Sequence, residues 1–150
     1  MEFEGFSFVD FSLEKGSLPG PPGGCVHIFC WVADGVENLL YVGQTRRFLG
    51  RMNDYRLANF TACTDFHVGE AVRYPNREQC YRVIVRYKLS EDSPKEEAAT
   101  IRSLLLKGVR LLNCLPGYDC QKADKAEGKK TVQSFCDMLT ETHAKATSGN

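Results

Sequence analysis

The apolar residues in the middle of the chain fall into short, dense runs that are typical of β-strands. Residues 25–32 and 39–45 are rich in β-branched and aromatic side chains, and Asp34-Gly35 lies between them. Because an Asp-Gly pair favours a tight hairpin turn, the pattern predicts two antiparallel strands joined at this point. A third strand is predicted over residues 79–89, where basic side chains alternate with apolar ones.

The spacing of apolar positions changes to a helical period after the hairpin. Residues 47–59 repeat apolar side chains every three or four positions, which predicts a helix. Residues 64–74 predict a second, shorter helix. We expect Pro75 to end it, because a proline inside a helix removes a backbone hydrogen bond.

A third helix has recognisable boundary signals. Ser93 has the chemistry of an N-cap, Pro94 stands at the first helical position, and Glu96 completes a capping box. We expect this helix to end at Gly108, since glycine readily adopts the left-handed conformation that ends many helices. Residues 129–142 then repeat apolar side chains at helical spacing, which predicts a C-terminal helix that docks on the core.

The chain divides by composition into three parts. Residues 1–24 form an N-terminal arm and linker: residues 1–15 alternate aromatic and polar positions, as in a strand or a docked arm, and residues 16–24 are rich in glycine and proline. Residues 25–115 carry the predicted sheet, and residues 116–150 form a C-terminal helical extension that opens with a Pro-Gly turn and ends in a frayed tail. The predicted fold class is mixed α/β, with a small three-stranded sheet in the order β-β-α-β-α, flanked by helices.

Length, charge and cysteine count narrow the class of protein only modestly. A chain of 150 residues suits one compact domain, and its net charge of zero gives no general attraction to nucleic acid. Seven cysteines cannot all pair, so we expect free thiols in a reducing compartment, cytoplasmic or, in a eukaryote, nuclear. No apolar run approaches the roughly 18 residues of a membrane span and no signal peptide opens the chain, so we expect no membrane partner.

Two motifs in the predicted hairpin resemble those that name the GIY-YIG nuclease superfamily. His27-Ile28-Phe29 is followed, after eleven residues, by Tyr41-Val42-Gly43. Ten residues beyond the tyrosine lies Arg51, where the family places a phosphate-binding arginine, and Glu97 and Asn113 match its later glutamate and asparagine. The resemblance covers about residues 24–115, and it implies the family's β-β-α-β-α fold.

The chain departs from the family pattern at two points. Phe29 stands where the family usually has its first tyrosine, and a phenyl ring cannot donate a hydrogen bond or carry a proton. His27 lies two residues earlier on the same strand face and could fill the polar role. The spacing from Glu97 to Asn113 is about one helical turn longer than usual, which keeps the same helix face.

The resemblance implies an endonuclease that hydrolyses phosphodiester bonds in DNA and leaves a 5′-phosphate and a 3′-hydroxyl. Tyr41 would act as the general base, Arg51 would bind the phosphate, and Glu97 would be the ligand of one Mg²⁺ or Mn²⁺ ion. His27 would support the tyrosine, and Asn113 would hold the backbone near the site or bind the phosphate. Because a free tyrosine has a pKa of about 10, Tyr41 needs positive charge nearby to work at neutral pH.

Further candidate phosphate contacts surround the arginine. Arg46, Arg47 and Arg56 flank Arg51, and an arginine fork matches two phosphate oxygens at once. Tyr55 lies one turn beyond Arg51, where many family members have a histidine. It could bind the phosphate or pack as helix core.

The proposed metal ligand also has a particular place on its helix. Glu97 shares a helical face with Ile101, Leu104 and Leu105, which predicts a carboxylate on a buried side. Burying a carboxylate alone is costly, so it needs a partner. A hard divalent cation with water and phosphate oxygens in its shell would be that partner.

Each candidate also has a purely structural interpretation. Tyr41 would then only pack on a half-buried strand, and Arg51 would belong to a solvated arginine surface. Glu97 would complement the helix dipole, and Asn113 would form a turn before Leu-Pro-Gly.

The function has alternatives as well. The same fold could be a nucleic-acid-binding module with little catalysis, for which Phe29 is the best evidence. A small redox or thiol protein is a third interpretation, and it would need a reactive cysteine of low pKa. For the nuclease, DNA is the expected partner, and a targeting protein is a candidate second partner because the chain has no obvious room for a separate DNA-reading domain. The oligomeric state stays open.

Overall fold

The structure is a computed structural model that describes residues 4–11, 20–57, 63–78, 81–115 and 125–148. The elements follow in the order β1 (Ser7–Asp10), β2 (Cys25–Ala33), β3 (Val36–Thr45), α1 (Phe48–Leu57), α2 (Cys63–Glu78), β4 (Arg82–Leu89), α3 (Ser93–Leu106), a 3₁₀ turn (Leu112–Cys114) and α4 (Lys125–Ser148). The predicted mixed α/β class is confirmed. The Pro116-Gly117 turn and residues 16–19 of the glycine- and proline-rich linker lie outside the described residues.

The described part of the chain forms an antiparallel sheet of four strands in the order β1-β4-β2-β3, so the prediction of three strands was wrong. The additional strand, β1, comes from the N-terminal arm and pairs with β4. The backbone N–H of Phe11 extends this pairing by donating to the carbonyl of Val83 at 2.9 Å. The alternating pattern at the start of the chain therefore does form a strand, and it lies at one edge of the sheet.

The hairpin between β2 and β3 turns where the sequence predicts. Asp34 and Gly35 have φ values of 53° and 74°. Two consecutive residues with positive φ match the twist of the strands they join, which is why an Asp-Gly pair is favoured here. The predicted hairpin is confirmed.

A bulge in β3 decides which way Tyr41 points. Phe29 pairs with Tyr41, but the next residue, Cys30, pairs with Leu39, so Leu40 is an extra residue in β3. As a result Leu40 and Tyr41 both pack on the Phe29 side of the sheet, while Leu39 packs on the other side. Without the bulge, strict alternation from Leu39 would turn Tyr41 away from Phe29.

Both faces of the sheet are covered. On what we call the aromatic face, the side of Phe29 and Tyr41, the core is completed by side chains of α1, α2 and α4. On the opposite, aliphatic face, Val26 and Ile28 pack with Leu104 of α3 and with Leu111. Helices α1 and α3, which carry the predicted arginine and glutamate, therefore lie on opposite faces. Of the helices in the described ranges, none is long and apolar enough to cross a lipid bilayer.

Helix α3 begins one residue away from the predicted cap. Asp92, not Ser93, is the N-cap, and its side chain accepts a backbone hydrogen bond from the first turn. Ser93 is buried instead, and its hydroxyl donates to Oε1 of Gln44 at 2.9 Å. Glu96 pairs with Nζ of Lys88 at 2.7 Å rather than completing a capping box. The bond from Ser93 ties the start of α3 to the end of β3.

The other predicted helices differ from the observed ones mainly at their ends. Helix α2 continues past Pro75 to Glu78, so the predicted stop at the proline was wrong. A proline cannot bond to the carbonyl four residues earlier, here that of Ala71. The thiol of Cys136 on α4 lies 3.9 Å from that carbonyl and donates to it, so tertiary packing offsets part of the cost. Gly108, with a φ of 80°, lies just beyond α3 as predicted.

Candidate functional site

An aromatic cluster lies where β2, β3 and α1 meet on the aromatic face. The ring centroid of His27 lies 6.2 Å from that of Tyr41 and 5.7 Å from that of Tyr55. Phe29 packs edge-on against Tyr55, with centroids 5.3 Å apart. The predictions that His27 and Phe29 share a face, and that Tyr41 lies beside them, are confirmed.

The glycine of the second motif makes room for the imidazole. Gly43 pairs with His27 across the hairpin. A Cβ at position 43 would lie 2.5 Å from Nε2 of His27 and 2.9 Å from a ring carbon of Tyr41. Real Cβ atoms essentially never approach this closely, so glycine is required for the histidine and tyrosine rings to occupy these positions.

The hydroxyl of Tyr55 is the centre of a buried hydrogen-bond network. It accepts from Nε of Arg51 at 3.0 Å, lies 3.1 Å from Nε2 of His27, and forms a side-chain hydrogen bond with Tyr41. Burial raises the pKa of Tyr55 to about 12, although the charge of Arg51 and the hydrogen bonds act in the opposite direction. Tyr55 is 1% exposed, which favours the alternative that it packs in the core over direct contact with phosphate, and its hydroxyl contacts three other side chains.

The imidazole of His27 is neutral near pH 7. Complete burial lowers the pKa of His27 to about 3, and the nearby charge of Arg51 lowers it further. Its Nδ1 has no hydrogen-bond partner among the described residues. His27 therefore supports the network as a neutral hydrogen-bonding group and supplies no positive charge to Tyr41.

The suppressed titration of His27 should make stability depend on pH. An ordinary histidine titrates near 6.5 and this one near 3, so between those values the unfolded chain binds a proton that the folded protein excludes. The free energy of unfolding should therefore fall on acidification, by roughly 1.5 kcal/mol between pH 6.5 and about 5. Urea denaturation at the two pH values measures this loss. His27→Gln should lack this contribution, and an unchanged loss in that variant would contradict the assignment.

The arginine on α1 links the two faces of the sheet electrostatically. The positive charge of Arg51 acts on Tyr41 on the aromatic face. Burial raises the pKa of Glu97 on α3, and the same Arg51 charge partly offsets this rise. The charge of Arg51 thus acts on residues of two other elements, Tyr41 of β3 and Glu97 of α3. The bond from Ser93 to Gln44 holds the start of α3 at the end of β3.

The carboxylate of Glu97 is compatible with a single hard cation. Within the described ranges, no hydrogen bond or ion pair holds it, and it lines an open, mostly apolar pocket of about 490 Å³ that also includes Arg102. Its face is more open than predicted, because Leu105 is 42% exposed while Leu104 is buried. No group of three or more His, Cys, Asp or Glu side chains that could hold a metal occurs in the part of the chain described. A cation here would take one protein carboxylate and complete its shell with other oxygens.

Asn113 holds the backbone of β3. Its Nδ2 donates to the carbonyl of Val42 at 2.7 Å, and its Oδ1 accepts from the N–H of Val42 at 3.0 Å. Val42 lies on an edge strand, so a neighbouring strand is missing on one side. The two bonds from Asn113 pair its backbone N–H and carbonyl in place of that strand. Of the roles predicted for Asn113, the structure therefore favours holding the backbone over binding phosphate. Because Val42 lies between Tyr41 and Gly43, Asn113 positions the second motif.

The remaining predicted arginines fall into two groups. Arg46 and Arg47 are exposed immediately before α1. Arg56 packs over the ring of Phe11, with its guanidinium carbon 5.3 Å from the centroid, and its role in phosphate binding stays a prediction. The basic residues of β4 are each paired with a carboxylate: Arg82 with Asp10, Arg86 with Glu37 and Lys88 with Glu96.

No family model, curated protein or solved structure matches this chain. The candidate site is therefore interpreted from its own geometry and from the motif resemblance.

Sequence reasoning missed one residue of the site. Asp65, in the first turn of α2, accepts a hydrogen bond from Nη1 of Arg51 at 2.6 Å. Burial raises the pKa of Asp65, and Arg51 partly offsets this. An acidic side chain at a helix start commonly interacts with the helix dipole, so its type alone does not indicate a functional role. No spacing rule indicates that it meets Arg51, which lies 14 residues away.

Proposed function

We propose that the chain is a metal-dependent endonuclease of the GIY-YIG type that hydrolyses phosphodiester bonds in DNA. The observation that carries the proposal is that Tyr41 and Arg51 both bond to the hydroxyl of Tyr55, Arg51 through Nε at 3.0 Å, while the charge of Arg51 also acts on Glu97. Phosphodiester hydrolysis needs a base for the attacking water, positive charge for the phosphate and help for the leaving oxygen. A phenol, a guanidinium and a carboxylate that binds a cation provide these three functions.

In this proposal Tyr41 takes a proton from the attacking water. Arg51, which bonds to the same Tyr55 hydroxyl as Tyr41, supplies positive charge beside the phenol for the negative charge that proton transfer develops. The hydrogen bond with Tyr55 and the contact with His27 hold the phenol in place. Asn113 fixes the backbone beside it. The base is thus oriented by its surroundings before substrate binds, which is what efficient proton transfer requires.

Arg51 binds the scissile phosphate, and Glu97 holds the cation. One Mg²⁺ or Mn²⁺ ion bound through Glu97 would neutralise charge on the phosphate and stabilise the departing 3′ oxygen. The exposed Arg46 and Arg47 provide further positive charge for the DNA backbone next to Arg51. Since this basic surface is small and the net charge is zero, a protein partner that directs the nuclease to DNA belongs to the proposal.

A second candidate is a nucleic-acid-binding module with the same fold and little catalysis. Two observations favour it. Tyr41 is only 5% exposed, which limits the approach of water, and Arg51 is already bound by Asp65. Phe29 stands where the family usually has its first tyrosine, and the absence of that hydroxyl also favours a module with little catalysis.

The two candidates differ in whether the wild-type protein cuts DNA. We expect it to nick supercoiled plasmid or branched DNA with Mg²⁺ or Mn²⁺, leaving 5′-phosphate ends that a ligase reseals. Tyr41→Phe should lower the rate by about 10²–10⁴-fold, the usual contribution of a general base. The matched control is Tyr81→Phe, because Tyr81 stacks on Trp31 toward the opposite end of β2.

The outcomes are distinct. Cleavage that Tyr41→Phe suppresses and Tyr81→Phe preserves supports the endonuclease. DNA binding without cleavage by the wild type supports the module. A wild-type protein that neither binds nor cuts DNA excludes both.

A further inference from the structure

We propose that Asp65 is a positioning residue that sets the affinity of the site for phosphate, because its carboxylate occupies the guanidinium of Arg51 until a phosphodiester displaces it. This inference rests on the proposed function, since it assigns a competitor to the phosphate-binding arginine. Asp65 belongs neither to the family motifs nor to the residues that would touch the reacting atoms.

The geometry makes Asp65 a direct competitor for phosphate. Nη1 of Arg51 donates to Oδ1 of Asp65 at 2.6 Å, and Nε donates to Tyr55 at 3.0 Å. A guanidinium has five N–H groups in a fixed plane, so these two bonds set its orientation. A phosphate bound by the outer two nitrogens must share or replace the Asp65 contact. Both ligands are anions with the same requirement for donors, so they compete for the same charge.

The surroundings of Asp65 allow this exchange. The side chains of Arg51 and Asp65 are 26% and 17% exposed, so the pair lies at the boundary with solvent. Burial raises the pKa of Asp65, and repulsion from Asp54 raises it further, which means that the ionised carboxylate is partly desolvated where it stands. Moving it outward restores some hydration, and this gain offsets part of the lost ion pair. Tyr55 keeps its bond to Nε meanwhile, so Arg51 stays in place.

Asp54 provides a matched control within the same site. Its Oδ2 lies 3.6 Å from the same Nη1 of Arg51, beyond normal hydrogen-bond distance, and its side chain is 39% exposed. Removing either charge changes the local field by the same formal amount. Only the substitution of Asp65 also weakens a hydrogen bond on the guanidinium, because an amide oxygen accepts it without the ionic attraction of a carboxylate.

The test measures binding of a short fluorescent DNA duplex by anisotropy, in EDTA to prevent cleavage and in about 0.15 M salt to screen distant charges. We expect Asp65→Asn to tighten binding about 3- to 10-fold and Asp54→Asn to change it less than about 2-fold. In an Arg51→Gln background, Asp65→Asn should have no effect, because its action passes through the arginine. Thermal unfolding verifies that each variant is folded, and Asp65→Ser replaces Asp65→Asn if the amide is not tolerated.

Each contrary outcome has a separate meaning. If wild-type binding depends on Arg51 but Asp65→Asn binds no more tightly, the role of Asp65 is overturned and the proposed function is unaffected. If Asp54→Asn has an equal effect, or if the gain persists in Arg51→Gln, a general charge effect replaces the proposed competition. If the wild type neither binds nor cuts DNA, both the proposed function and this inference fall.

Discussion

Replacing Glu97 by glutamine is expected to lower DNA cleavage by at least about 10³-fold, because it removes the proposed ligand of the catalytic cation. Glutamine keeps the size and shape of the side chain but is a far weaker ligand for a hard divalent ion. Single-turnover cleavage of plasmid DNA at saturating enzyme measures the chemical step. DNA binding in EDTA should be unchanged or stronger, since the substitution removes a negative charge.

The neighbouring glutamate is the natural control for this experiment. Glu96 lies on the same turn of α3, but it pairs with Lys88 at 2.7 Å and takes no part in the site. Glu96→Gln should therefore cut DNA at the wild-type rate. Cleavage by Glu97→Gln at a rate close to that of Glu96→Gln would remove Glu97 from the mechanism.

Stability provides an independent check on Glu97. Burial raises its pKa above the ordinary value, so the folded state binds a proton more readily than the unfolded state does. At neutral pH, well above both values, the ionised carboxylate is therefore a net cost to folding. Glu97→Gln should be as stable as the wild type or more stable. Loss of activity with retained stability is typical of a residue kept for function.

The second large effect is expected from Gly43→Ala, which should lower the free energy of unfolding by about 3 kcal/mol and abolish cleavage. The added methyl group would lie 2.5 Å and 2.8 Å from two atoms of the His27 ring and 2.9 Å from a ring carbon of Tyr41. Both rings are buried in a packed core and cannot move freely. Any shift of His27 also disturbs its bond to Tyr55. Urea denaturation and plasmid cleavage measure the two losses.

Two comparisons test the steric origin of this effect. Gly23→Ala should change stability by less than about 1 kcal/mol, because no heavy atom lies within 4 Å of the Cβ it would add. Combining Gly43→Ala with His27→Ala removes the closest contacts, so the double variant should be more stable than the sum of the single effects predicts. A Gly43→Ala protein as stable as the wild type would contradict the assigned packing.

The hydroxyl of Tyr55 offers an explanation for the phenylalanine in the first motif. Phe29 is fully buried between Tyr55 and Phe11, with ring centroids 5.3 and 5.2 Å away, so a hydroxyl at position 29 would enter a packed apolar region. Tyr55 brings a hydroxyl to the same face from α1 and bonds to His27 and Arg51 with it. We interpret Tyr55 as the source of the polar group that the motif lacks.

Several features could be predicted from the sequence because they depend on local chemistry. The Asp34-Gly35 turn follows from the backbone preferences of those two residues, and Gly108 ends α3 for the same reason. The period of the apolar residues identified the three central strands and the helices. The cap of α3 was misplaced by one residue because Asp92 and Ser93 are equally suitable acceptors, and the choice depends on the bond from Ser93 to Gln44.

The candidate site was also predicted only in part from the sequence. Sequence motifs identified Tyr41, Arg51 and Glu97 as candidates for one site. Asp65 and the bonds of Tyr55 to His27 and Tyr41 did not follow from any motif, because each joins side chains on different elements, and such a pairing leaves no local pattern.

By itself, the sequence determined where the three central strands and the helices lie, apart from some of their ends, because this depends on residue spacing and on the conformational preferences of single residues. Only the tertiary structure decided that β1 joins the sheet, that a bulge at Leu40 turns Tyr41 toward His27, and that Arg51 lies within electrostatic reach of Glu97 across the sheet. The physical reason is that strand pairing and contacts between distant side chains arise from the burial and charge of the whole chain. No short segment contains that information.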